Sequence, residues 1–230
     1  MARKRTHTGI IPRDLVQQVK MSDHERRLIF MIGSLMMDYP GEDFLDKLGV
    51  VESQLDQLPL PVAANVVEFL DHARVNGLRW MEEHYVETFD QRRRCSLFLT
   101  YYAVGDTRQR GTAILAFRDT LRSLGFESMR DELPDHLCVV LEAAALAEPA
   151  RFEDATEILA AHRDGIEVLR SALDNLNSPY RYLVTALCQA LPDIDQETAD
   201  SYMELIRSGP PAELVGIGTP LPFPTSQPES

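Results

Sequence analysis

The chain has 230 residues, with 23 Lys and Arg against 36 Asp and Glu, a net charge of −13. Such a field repels phosphate backbones and excludes nucleic acid as a partner unless the basic residues cluster. An apolar fraction of 44% and a charged fraction of 26% are those of an ordinary globular protein, and the length allows one domain with a sizeable core or two small ones.

In chain order, residues 1–22 begin "MARKR" and read as a loose basic tail. "ERRLIFMIGSLMMDYP" then sets Arg26-Arg27 before an apolar run, as an export signal would. Its leader "SDHE" is acidic, however, and Asp38 and Pro40 end the run without a small-residue cleavage site. The run is also too short to span a bilayer. It reads as the first core helix, capped by Asp23, with Leu28, Ile32, Leu35 and Tyr39 on one stripe. "YPGED" breaks it and "LPLP" opens another helix, striped by Val62, Val66, Phe69 and Ala73 and continued by Leu78, Met81 and Tyr85. Leu97, Phe98, Tyr101 and Tyr102 follow, then Ile114, Phe117, Leu121 and Leu124. Ile158, His162, Ile166, Leu169, Leu173 and Leu176 hold the same spacing on what reads as the longest helix. Gly77, Gly105 and Gly125 stand where helices stop, Pro134 and Pro179 where new ones start. No two-residue alternation argues for a sheet. The expectation is an all-α, single-domain multi-helix bundle over 23–207, followed by a Pro/Gly/Ser-rich disordered tail over 208–230.

Catalytic signatures are scarce. None of the six histidines has a glutamate three residues before it, as a carboxylate-bridged di-metal bundle requires, and there is no H-x-x-x-H or C-x-x-C. Cys95, Cys138 and Cys188 lie far apart inside helical patterns and read as buried, reduced thiols of a cytosolic protein. No G-x-S-x-G is present, and "GIGTP" lacks the lysine and following helix of a phosphate loop. Cys95 beside Arg94 has either a lowered thiol pKa or, as helical cysteines more often do, a small core role. A binding module fits better than an enzyme, with no metal and no cofactor.

Residues 85–111, "YVETFDQRRRCSLFLTYYAVGDTRQRG", concentrate five arginines around a block of aromatic residues. This stretch, with "AILAF" after it and "DELPDHLCVVLEAAA" further on, resembles the NarJ-type assembly chaperones of respiratory nitrate reductase. Those belong to the wider group of redox-enzyme maturation chaperones. "SLMMDYP" and "SPYRYLV" also fit, so the resemblance spans most of residues 28–190. It implies an all-helical, cytoplasmic, non-catalytic chaperone. Its implied partner is the N-terminal segment of the apo catalytic (alpha) subunit, alone or in the alpha–beta complex, held for molybdenum cofactor insertion before membrane docking. A chaperone of the same superfamily serving another molybdoenzyme is the alternative within this class. A small helical enzyme using Cys95 or a histidine is the alternative outside it. No stable membrane insertion is expected, and the sequence does not give the oligomeric state.

A helical client with an apolar stripe needs an apolar groove with a polar rim. Tyr85, Phe89, Phe98, Tyr101 and Tyr102 are candidates for the groove, although helical stripes usually face a core. Glu132 and Asp135 with nearby acids are candidates for an acidic rim, with Pro134 fixing the shape of the loop. Glu132, Asp135 and His136 are the favoured client contacts, because the related dimethyl sulfoxide and trimethylamine oxide branches carry a similar E-P-x-D-H element at their peptide site. Here the proline stands one position later, and Cys138 replaces the second proline usual in nitrate reductase chaperones. Asp135 serves equally well as the N-cap of the next helix. Asp106, Arg108 and Arg110 mark a turn that an Asp–Arg pair would pin, or a further contact to the client. Arg92, Arg93 and Arg94 read as a solvated face.

Overall fold

The computed structural model describes residues 15–105, 107–127, 131–193 and 200. Among them nine α-helices run in chain order: α1 (Asp23–Met36), α2 (Phe44–Glu52), α3 (Leu60–Tyr85), α4 (Leu99–Val104), α5 (Arg110–Ser123), α6 (Leu137–Leu146), α7 (Phe152–Ala161), α8 (Arg163–Asn175) and α9 (Tyr180–Ala190). No strand forms among the described residues; the single extended pairing is an isolated bridge between Phe98 and His136. The chain is all-α.

α1 lies against α6 and α9, and α9 also packs on α3 and α8. The first contact is close because residue 33 is glycine. A Cβ there would lie 2.9 Å from Leu187 Cδ2 and 3.1 Å from Leu141 Cδ1. The expected α1 stripe is rotated. Ile29, Ile32 and Met36 are buried, Leu28 and Leu35 are half-buried, and Tyr39 lies beyond the helix end, exposed. "LIFMIGSLMM" is apolar on nearly every side because α1 is covered from two directions, so periodicity alone leaves its phase open. Its cap shifts by one residue: Ser22 and Glu25 form a capping box in place of Asp23.

The twin arginines serve two other helix ends. Arg26 Nε donates to Ala190 O at 3.2 Å, at the end of α9. Arg27 donates to Ala145 O at 3.0 Å and to Ala147 O, at the end of α6, and lies over the Phe152 ring. Each cation satisfies carbonyls that a helix C-terminus leaves open and complements its negative dipole end.

α3, at 26 residues, replaces the expected long helix over 158–176 as the longest. That stretch divides at His162, which ends α7 and caps α8 with φ −93° and ψ 7°, its ring Nδ1 2.8 Å from Ile158 O. The division costs one residue and leaves the three-four spacing running through, so the sequence does not announce it. α3 itself is interrupted at Gly77, whose φ of 78° and ψ of 170° are not helical and favour glycine, so a helical stretch does stop there as the sequence suggests. Of the expected N-terminal tail, residues 1–14 lie outside the described residues, whereas 15–22 lie on the body. Val16 N–H donates to Glu167 Oε1 at 2.9 Å and Val19 N–H to Gln189 O at 2.9 Å. The stretch 208–230 lies outside the described residues. Among the described residues no helix is long and apolar enough to cross a membrane.

Candidate functional site

Beyond Gly77, α3 carries Met81 and Tyr85 into the core and then widens into a π turn, Val86–Asp90, closed by Gln91 N–H to Val86 O at 3.1 Å. π turns inside helices recur at functional sites because they re-aim side chains. Here the turn buries Thr88 and Phe89 and leaves Asp90 outside. Tyr180, fully buried at the start of α9, forms the floor, with its centroid 4.8 Å from Phe89 and 6.1 Å from Tyr85. Tyr39 meets Tyr85 edge-on at 5.5 Å and remains 49% exposed. Offset and edge-on contacts of this kind add to the burial of the rings themselves.

The two stretches that carry the family resemblance meet beside this floor. Leu137 N–H donates to Leu97 O at 2.7 Å and Leu99 N–H to Asp135 O at 2.9 Å, flanking the Phe98–His136 bridge. Phe98 and His136 touch edge to face, 5.2 Å apart. The Asp135 carboxylate accepts from the N–H and the hydroxyl of Thr100, so it caps α4 from another part of the chain. Burial raises its pKa, opposed by the Thr100 hydrogen bonds and the charge of Arg110. Tyr102 braces the same junction, its hydroxyl donating to Ser96 O at 2.8 Å and Arg94 O at 3.3 Å. Gly165 lets α8 close on it; a Cβ there would lie 2.7 Å from Tyr102 Cβ.

Between floor and junction lies an open cleft of about 450 Å³. Tyr39, Tyr85, Phe89, Phe98 and Tyr101 supply its rings, and Leu97 and His136 line it. Asp38, Asp90 and Glu132 bring negative charge, Arg93 and Arg110 positive. Six of the nine residues expected at a client groove therefore share one cleft: Tyr85, Phe89, Phe98, Tyr101, Glu132 and His136.

The others sit elsewhere. Asp135 is 0% exposed and Tyr102 is 2% exposed, so neither presents surface to a ligand; both hold the backbone beneath it. Asp135 also does not cap α6, whose N-cap is His136. Pro134 lines a neighbouring cleft of about 280 Å³ with Phe126 and Arg122, and Glu132 borders both clefts. Arg108 is exposed before α5, Arg110 is half-buried on the Phe98 face, and Asp106 lies outside the described residues. Arg92, Arg93 and Arg94 are exposed, although Arg93 also lines the cleft.

Sequence reasoning missed Asp38, Tyr39 and Asp90. All three lie in stretches already matched to the family, "SLMMDYP" and "YVETFD", and that match was the available signal. Cys95 is 1% exposed and burial pushes its thiol up to about 11, the inert state of a core cysteine. Among the described residues no cluster of His, Cys, Asp or Glu is suited to hold a metal ion.

Fold and cleft together define an all-helical protein with an open, aromatic-lined cleft bordered by charged residues. The chain belongs to the nitrate reductase delta subunit family, whose model matches residues 55–186. This is the family of NarJ-type proteins to which residues 85–111 and 131–145 point. It is 35% identical over 162 residues to the nitrate reductase-like protein NarX of Mycobacterium tuberculosis, in two strains, covering 70% of this chain and 24% of NarX. The chain thus spans about a quarter of that relative's length. It is 28% identical over 175 residues to the probable nitrate reductase molybdenum cofactor assembly chaperone NarJ of Bacillus subtilis, covering 76% of this chain and 94% of that one.

Proposed function

We propose that this protein is an assembly chaperone for a molybdenum-cofactor nitrate reductase. Its cleft binds the N-terminal segment of the apo catalytic (alpha) subunit, alone or in the alpha–beta complex. It holds that segment until the cofactor is inserted and before the enzyme docks at the membrane. The chain acts by binding, in the cytoplasm, with no bond made or broken and no cofactor of its own.

The observation that carries this reading is the convergence of two sequence-distant family stretches, 85–101 and 132–136, on one cleft. Similarity to the Bacillus subtilis protein over nearly all of its length supports the same reading. The chemistry suits a peptide. Exposed Tyr39 and half-buried Phe98 and Tyr101 offer broad apolar contact at low entropic cost, and Asp38, Asp90 and Glu132 favour a basic segment over competitors. The volume takes a few side chains of an amphipathic helix, the rest of which would lie across the rim.

Calorimetry with a synthetic peptide of the catalytic subunit's N-terminal segment tests this. Binding with a negative heat-capacity change, weakened by salt, is expected. Glu132→Lys should weaken it about tenfold or more, near 1.4 kcal/mol, with unchanged thermal unfolding. No binding at high micromolar peptide refutes the reading.

A further inference from the structure

Arg110 opens α5 and lays its guanidinium over Phe98, 5.1 Å from the ring centroid, at the edge of the cleft. Its Nε is buried and has no hydrogen-bond partner, and the guanidinium forms no ion pair with any described residue. That Nε is itself out of a ligand's reach; the terminal guanidinium nitrogens are not among the buried atoms and make no hydrogen bond to a described residue, so they are the donors the cleft offers to an acceptor. The protein does not lack candidates nearby. Asp90 and Glu132 line the same cleft, and neither forms an ion pair with Arg110. Of the Asp135 carboxylate behind it, Oδ2 is engaged by Thr100, whereas the buried Oδ1 makes no hydrogen bond and feels the charge of Arg110 without pairing with it.

The local field also favours an anion. α5 has 14 residues, no acidic side chain in its first turn and no side-chain cap, so the positive end of its dipole adds to the guanidinium. A cation at a helix N-terminus is disfavoured unless something negative joins it. Within a protein of net charge −13, this corner of the cleft is the place suited to a carboxylate.

We propose that Arg110 is a specificity residue that pairs with an aspartate or glutamate side chain of the bound client segment. The segment this cleft fits carries one acid against Arg110, an apolar neighbour on Phe98 and Tyr101, and cations facing Asp90 and Glu132. The stack on Phe98 leaves the guanidinium edge available for a bidentate carboxylate, which lysine cannot reproduce. This inference rests on the client-binding reading above and adds the chemistry that the cleft selects: a mixed-charge segment with one required acid.

The test crosses peptide and protein variants by calorimetry. The probe is the synthetic N-terminal peptide of the nitrate reductase catalytic subunit from the same organism, with each Asp or Glu changed singly to Asn or Gln. One such change should weaken binding to the wild-type chaperone about tenfold and binding to Arg110→Gln less than about twofold, since a coupled pair is non-additive. Arg110→Lys should not restore the loss, and equal thermal unfolding of both variants excludes misfolding as its cause. A wild-type peptide that binds tightly while every acid is dispensable, or that contains no acid, overturns the inference and leaves the chaperone reading standing. A wild-type peptide that does not bind at all overturns both. Should Asp106→Asn match the loss of Arg110→Gln while the peptide's acids stay silent, Arg110 is held by the chain's own turn and the inference also falls.

Discussion

Around Gly33 the helices α1, α6 and α9 approach until a single methyl group would collide with Leu187 and Leu141. At the cleft, by contrast, residues 86–98 leave the α-helix three times, in a π turn, a 3₁₀ turn over Arg93–Cys95 and an isolated bridge. The first region is held by apolar packing of regular helices. The second is held by buried hydrogen bonds between segments far apart in sequence: Asp135 to Thr100, Leu137 to Leu97, and Tyr102 to Arg94 and Ser96. Damage to the first should unfold the protein. Damage to the second should spoil the cleft while most of the core stays folded, because each bond contributes little to a large apolar total.

The largest expected effect is in the core. Leu187→Ala empties a site that is 1% exposed where α9 meets α1, and should lower stability by about 2–5 kcal/mol in urea unfolding. Peptide affinity per folded molecule should stay close to wild type. If affinity and stability fall together, the two regions are one cooperative unit and the contrast fails.

Tyr102→Phe makes the opposite cut. It keeps the ring against Gly165 and removes the hydroxyl that holds the Arg94 and Ser96 carbonyls. Stability should drop by about 0.5–1.5 kcal/mol, with a larger proportional loss in peptide binding because Phe98 and Arg93 are re-aimed. An unchanged affinity would mean that the hydroxyl does not shape the cleft.

Asp135 adds a pH dependence. Its carboxyl binds a proton more tightly in the folded chain than in the unfolded one, because burial outweighs Thr100 and Arg110. That contribution to stability is complete below the ordinary carboxylate range and is lost as pH rises through the folded value. Asp135→Asn removes the titration, so wild-type stability should decline relative to this variant between acid and neutral pH. Parallel urea-unfolding curves at every pH would show that the carboxyl is not perturbed.

The smallest effect is optical. Trp80, the sole tryptophan, stacks on His84 at 4.5 Å, and His84 Nε2 lies 2.8 Å from Ser178 Oγ. Burial lowers the His84 pKa. Protonation, and with it quenching of Trp80 fluorescence, should therefore occur below the ordinary histidine range, and stability should rise with pH across that interval. Quenching at the ordinary histidine value would place His84 in solvent.

The same contrast explains what the sequence made legible. The stripe Val62, Val66, Phe69 and Ala73 is fully buried along α3, because one face of that helix meets the core and periodicity reports a single face well. α1 is covered from two sides, so its phase was lost although its existence was plain. At the cleft, six of the candidates came together because aromatic content and family motifs marked them. Asp135 and Tyr102 are equally part of those motifs, yet they hold the backbone from beneath. Nothing local separates a side chain that touches a ligand from one that holds the residue beside it, since burial at such a junction is set by long-range pairing. Asp38 and Tyr39 escaped for the converse reason: they lie just past the end of a core helix, and long-range contacts such as that of Tyr39 with Tyr85 bring them to the cleft.

The most direct test of the client cleft is amide hydrogen exchange of the full chain with and without the catalytic subunit's N-terminal peptide. The cleft predicts added protection at residues 86–98 and 132–137, with α2 and α7 unchanged. Protection confined to α2 or α7, with residues 86–98 and 132–137 unaffected at saturating peptide, would contradict it.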